Sequence, residues 1–154
     1  MAMSAFNSNS QITSTKVPIV IDTSNGNGMN SMFLGCTRLQ TIDSLKITKL
    51  VTNFTNAFSG CTNLKNVNIT DDSEIMNTIS FKDSPLSHDS IVKIINVLSD
   101  SVTGKTLTLK ETAVNNAFHI DDQFTIVNTE IIQETGELID DHYCHNIPCV
   151  LSLG

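Results

Sequence analysis

The segment Met32-Phe33-Leu34-Gly35-Cys36-Thr37-Arg38-Leu39-Gln40-Thr41-Ile42 returns 25 residues later as Ala57-Phe58-Ser59-Gly60-Cys61-Thr62-Asn63-Leu64-Lys65-Asn66-Val67. Phe, Gly, Cys, Thr and Leu recur in register, and a branched apolar residue closes both copies. A unit of roughly 20 to 29 residues cannot bury its own apolar face, so copies of it must stack on one another. The fold class this implies is a β-rich α/β solenoid. Its core is expected from Phe33, Cys36, Leu39 and Ile42 in one coil and Phe58, Cys61, Leu64 and Val67 in the next. A stack offers broad side walls rather than a cleft, so an interaction protein is expected before an enzyme.

Composition narrows the function classes. Apolar residues make up 40% of 154 positions, enough for one domain with a core or a short solenoid with an appendage. Ser, Thr and Asn fill 50 positions while charged residues reach only 16%, so the surface is built from neutral hydrogen-bonding groups. The net charge of −7 opposes a nucleic-acid partner, whose binding draws on clustered Lys and Arg. No apolar run reaches the 18 or so residues of a membrane span. The polar start, Met1 to Lys16, lacks the basic and apolar stretches of a secretory signal, so export by that route is not expected. Four Cys without a framework spacing point to synthesis in a reducing compartment.

Along the chain, residues 1–16 carry only Phe6 and Ile12 as isolated large apolar groups and read as an extended arm ordered by a partner. Residues 17–118 read as the repeat stack. Its first strand is Val17 to Asp22, placed by the 25-residue shift so that Val17 lies under Ile42 and Val67. Helical turns are expected near Met29 to Phe33 and Phe54 to Phe58, and strands over 41–47, 66–70, 78–81 and 106–109. A helix over 87–99 is capped by Ser87 and favoured by Asp89, with Ile91, Ile94, Ile95 and Leu98 forming an apolar stripe that packs on the stack. Residues 119–154 read as a C-terminal β cap or docking module: a strand at Phe124 to Val127, a hairpin turning at Glu134 to Glu137, and a final strand within Ile147 to Leu153.

The pattern Phe-x-Gly-Cys-Thr-x-Leu-x-x-Ile/Val at Phe33 to Ile42 and Phe58 to Val67 resembles the BspA-like leucine-rich repeat of bacterial surface proteins and of phage or prophage structural proteins. Ile79 to Ile91, containing Ser84-Pro85-Leu86-Ser87-His88-Asp89-Ser90, followed by Thr106-Leu107-Thr108-Leu109, is similar to the end of such arrays. The resemblance spans roughly residues 28 to 118. It implies binding or scaffolding and names no ligand.

Smaller features invite chemistry without completing it. Cys36 and Cys61 fall on adjacent coils, where a spacing of about 4.8 Å brings their backbones within disulfide reach; buried thiols in a ladder are the reading preferred here. His142, Cys144, His145 and Cys149 supply four zinc donors but not as two separate short pairs. Asp121-Asp122 and Asp140-Asp141 lack the ligand alternation of a calcium loop. His88 beside Ser87, Asp89 and Ser90 is better explained by helix capping than by a converging triad. Thr103-Gly104-Lys105-Thr106 ends like a phosphate loop but lacks its upstream Gly, with a strand expected where a helix is needed.

The expectation is therefore a non-enzymatic structural or adaptor component of a bacteriophage virion, decorating a capsid or associated with a tail or fibre. It acts through contacts with other virion structural proteins and in a homo-oligomer, with no catalytic residue, cofactor or metal. The alternative is a recognition module on a bacterial cell surface that binds host glycan or protein through the repeat face; the absence of Trp and the single Tyr143 weigh against glycan.

Overall fold

The computed structural model describes residues 5–16, 18–21, 28–118, 130–132 and 149–153. Their elements in chain order are β1 (Ser14–Thr15), β2 (Ile19–Ile21), β3 (Thr41–Ile47), β4 (Asn66–Ile69), β5 (Ile79–Phe81), α1 (His88–Asn96), β6 (Lys105–Leu109), α2 (Glu111–Phe118), β7 (Glu130–Ile132) and β8 (Cys149–Leu153). In one sheet β1 and β2 pair in parallel with β3, and β4 pairs in parallel with β3 as well. In the other the order is β5-β6-β8-β7, all parallel except the antiparallel pair β7–β8.

The 25-residue echo is visible in the register. Thr41 lies opposite Asn66 and Ile42 opposite Val67. A register shift then separates Ile42 from Leu45 in β3, because Leu45 pairs with Ile69. Strict alternation from Ile42 would turn Leu45 and Ile47 outward; the bulge re-phases the strand, and all three are buried. Asn68 spans the bulge, its Nδ2 donating to the Asp43 carbonyl at 2.8 Å.

A second ladder runs through the turns. The amides of Met29, Ser31, Phe33 and Gly35 donate to the carbonyls of Asn53, Thr55, Ala57 and Ser59 at 2.8–2.9 Å. These stretches form hydrogen-bonded turns rather than the expected helical ones. Ser31 and Asn56 share φ of 53°, and Gly35 and Gly60 have φ of 71° and 74°. The recurring Gly has a further reason: a Cβ on Gly60 would lie 3.3 Å from the Gly35 Cα, inside the close approach of two layers.

Residues 5–16 are not an extended arm. Phe6 stacks on Phe33, its amide donates to the Met32 carbonyl, and Ser8 donates to Leu34. Thr15 pairs with Ile42, so Phe6, Ile12 and Thr15 take the places of Phe33, Leu39 and Ile42 in a further layer. The spacing is 27 residues there, from Phe6 to Phe33, which displaces the expected match of Val17 with Ile42. The Gly-Cys of the motif is replaced by Ser8-Asn9, and Ser8 adopts φ of 55°, like the glycines. Stacking, hydrogen bonds and strand pairing thus join this segment to the chain's own core.

The helix expected over 87–99 is α1, with Ser87 as N-cap and Val97 as C-cap. Ile91, Ile94 and Ile95 are fully buried, and Leu98 lies beyond the helix in a parallel bridge with Ile75. That bridge ends the helix: Ile75 donates to Val97 and accepts from Ser99. α1 covers the free edge of β4, where the Ser90 hydroxyl accepts the Val67 amide at 2.9 Å. Helix α2, not anticipated, packs against α1 with Ala113 and Val114 buried.

In the C-terminal part the expected final strand is β8, and it joins β6 in parallel, Leu107 opposite Leu151. Glu130–Ile132 pairs in antiparallel with Val150–Ser152. The described part of 119–154 thus extends the β5–β6 sheet. The expected strand at Phe124 to Val127 and the Glu134 to Glu137 turn lie outside the described residues.

Candidate functional site

The eight repeat residues meet in one column. Phe33, Cys36, Leu39, Ile42, Phe58, Cys61, Leu64 and Val67 are each at most 1% exposed. Four rings stack in order: Phe6 on Phe33 with centroids 5.0 Å apart, Phe33 on Phe58 at 5.5 Å, and Phe58 on Phe81 at 4.4 Å. Sequence reasoning missed both outer rings, because Phe6-x-x-Asn9 and Phe81-x-x-Ser84 lack the Gly-Cys that flags the inner two. The recurring Phe was the signal available.

Cys36 and Cys61 are free, buried thiols, not a disulfide. Each donates to the carbonyl of the preceding layer's Phe, Cys36 to Phe6 at 2.9 Å and Cys61 to Phe33 at 3.1 Å. Ser84 continues the column with its hydroxyl on the Cys61 carbonyl at 3.2 Å. Burial raises the Cys36 pKa, and burial followed by the neighbouring Cys36 pushes Cys61 up to about 12. A raised thiol pKa stabilises the fold below the ordinary value of 9.0, and that contribution is lost as pH rises from there towards about 12, where only the unfolded chain ionises. Urea midpoints are therefore expected to fall more steeply between pH 9 and 11 in the native chain than in Cys61→Ala. Equal slopes would refute this.

One member of the column is mismatched. Thr15 occupies the position of Ile42 and Val67, is 5% exposed, and its hydroxyl has no hydrogen-bond partner among the described residues. The isosteric Thr15→Val removes an unsatisfied buried group, and a gain of about 1 kcal/mol is expected in chemical denaturation.

The outer walls carry short polar side chains that tie layers together. Asn63 donates to the Thr37 carbonyl at 2.6 Å, the Ser87 hydroxyl to Asn66 at 3.2 Å, and Lys46 pairs with Asp72. The hydrogen bonds from Lys46 and then Thr70 hold the exposed Asp72 carboxyl below its ordinary range. Where layers end, the wall changes character. The outer edge of β1 and β2 has no partner strand among the described residues. Val20 there is 59% exposed, and Phe6, Ile12 and Ile19 are only partly buried.

Among the described residues, the groups with catalytic potential do not converge. His88 Nδ1 lies 3.2 Å from Asp89 Oδ1 on an exposed helix start, while the nearby Ser87 and Ser90 hydroxyls bond to each other at 3.0 Å. Lys105 opens strand β6 directly after Gly104, so no helix follows the Thr103 to Thr106 segment. Among the described residues no three His, Cys, Asp or Glu side chains gather as a metal site. His142, Cys144, His145 and the two Asp pairs lie outside the described residues, and Cys149 begins β8. No described helix is long and apolar enough to cross a membrane. No family model, no curated protein and no solved structure matches the chain.

Proposed function

We propose that the chain is a short solenoid of leucine-rich-repeat type that serves as a non-enzymatic structural or adaptor component of a bacteriophage virion. It works through contacts with other structural proteins of the particle. The observation that carries this reading is the ladder Phe6–Phe33–Phe58–Phe81, in which the large side chains hold layer to layer and leave flat polar walls outside. The unpaired edge of β1 and β2, with Val20 exposed, supports it as a place where a neighbouring subunit adds a strand. The choice of a virion rests on the Phe-x-Gly-Cys-Thr-x-Leu resemblance.

Antibody against the purified chain, used on density-gradient particles from cells that express it, is expected to detect the protein at a fixed ratio to the major capsid protein. Val20→Lys is expected to lower that ratio several-fold while leaving the urea midpoint unchanged. Particles devoid of the chain would overturn the reading.

A further inference from the structure

The turn ladder stops one layer early. Met29, Ser31, Phe33 and Gly35 each donate an amide to the next layer, and their counterparts 25 residues on are Phe54, Asn56, Phe58 and Gly60. Ser31 and Asn56, like Gly35 and Gly60, keep matching φ, so the turn backbone repeats at these positions. Among the described residues only Gly60 finds an acceptor ahead, the Asp83 carboxylate at 2.8 Å. Phe54, Asn56 and Phe58 have no acceptor among the described residues.

The cause lies in the fourth layer. There β5 pairs with β6, Ser80 opposite Thr108, and no β5 carbonyl accepts an amide of the preceding turn. A cleft of about 340 Å³ opens between them, lined by Thr52 to Asn56 on one wall and Asn77, Thr78, Ser80 and Lys105 on the other. Asn56 and Ser80 continue into a smaller recess of about 150 Å³ that reaches Phe58, Lys82 and Asp83. Half-buried Lys105 forms no ion pair among the described residues. The Asp83 carboxylate is engaged with Gly60 at the narrow end, away from Lys105.

Unpaired main-chain donors beside an ammonium group form a receptor for an oxyanion, since charge-assisted hydrogen bonds are stronger than neutral ones. The rings of Phe58 and Phe81, 4.4 Å apart, keep the narrow end closed to a whole inserted strand. The wider end, about 340 Å³, has room for one or two residues. We propose that this cleft binds a carboxylate side chain presented by a peptide of a partner protein, with the amides of Phe54 and Asn56 and the Lys105 ammonium on its oxygens. This deepens the interaction reading and rests on it for the choice of a protein source; the particle immunoblot tests that reading separately.

Backbone amide shifts of the isotope-labelled full chain, titrated with acetyl-Gly-Glu-Gly-amide, test the site. Saturable shifts at Phe54 and Asn56, absent with the isosteric Gln peptide and weakened about tenfold or more in Lys105→Met, are expected. Amide exchange at these two positions is expected to be fast in the free chain and slowed by the Glu peptide, with Met29, Ser31 and Phe33 protected throughout. No shift at either residue overturns the site. An equal response to acetate makes it a general anion site, and a stronger response to glucuronate assigns it to acidic sugars; either result overturns the peptide assignment.

Discussion

Phe58→Ala is expected to lower the unfolding free energy by about 3–5 kcal/mol, the range for emptying a buried aromatic site. The ring is 1% exposed and sandwiched between Phe33 and Phe81, so its loss removes two stacking contacts and leaves a hole between layers whose backbones are hydrogen-bonded in place. The layers cannot collapse inward: the turns are held by the Phe33 amide on Ala57 and the Gly35 amide on Ser59 on one side, and β3 pairs with β4 on the other. Against a total stability of about 5–15 kcal/mol, such a change leaves the chain at the margin of folding. Phe58→Leu restores most of the volume and is expected to cost about 1–2 kcal/mol. Urea unfolding followed by far-ultraviolet circular dichroism measures both. A loss under about 1 kcal/mol for the alanine variant would show that the ladder does not hold the core.

Deletion of residues 1–16 is expected to destabilise by at least about 3 kcal/mol and to make the chain aggregate. The deletion strips Phe6 from the face of Phe33, removes the carbonyl that accepts the Cys36 thiol, and takes away the two residues of β1. Phe33, now fully buried, would become the terminal ring, and the Thr41–Ile42 end of β3 would become an open edge on an apolar sheet. An extended arm would behave differently, because cutting it leaves the core intact. Urea midpoint and size-exclusion profile separate the two cases. A truncated chain that stays monomeric with an unchanged midpoint would return this segment to the role of a dispensable arm.

The contrast between those residues and the inner repeats explains what could be read in advance. Phe33 to Ile42 and Phe58 to Val67 are legible because the same five residue types return at one spacing, and spacing survives in one dimension. The strands at Thr41–Ile47 and Asn66–Ile69 and the capped helix after Ser87 follow from local pattern, since β-branched alternation and an i, i+3, i+4 stripe are properties of neighbours in the chain. The layer at Phe6 was hidden by a 27-residue interval and by Ser8-Asn9 in place of Gly-Cys. Ser8 reaches φ of 55° without being Gly, so the conformation is shared while the letters are not.

The cleft beside Lys105 was hidden for another reason. It lies between the turn and β5, a strand that pairs with β6, more than twenty residues downstream, and whose carbonyls accept none of the amides of Phe54, Asn56 and Phe58. No property of those three residues foretells that their donors lack acceptors among the described residues; Ser31 has the same φ as Asn56 and is satisfied, as are Met29 and Phe33. The amino-acid order by itself determined which side chains are alike and at what interval, and with that the Phe, Cys and Leu positions of the core. Tertiary structure alone decided where the layering begins, which edges stay open and which main-chain groups are left facing outward, because those depend on which distant segment completes each ladder.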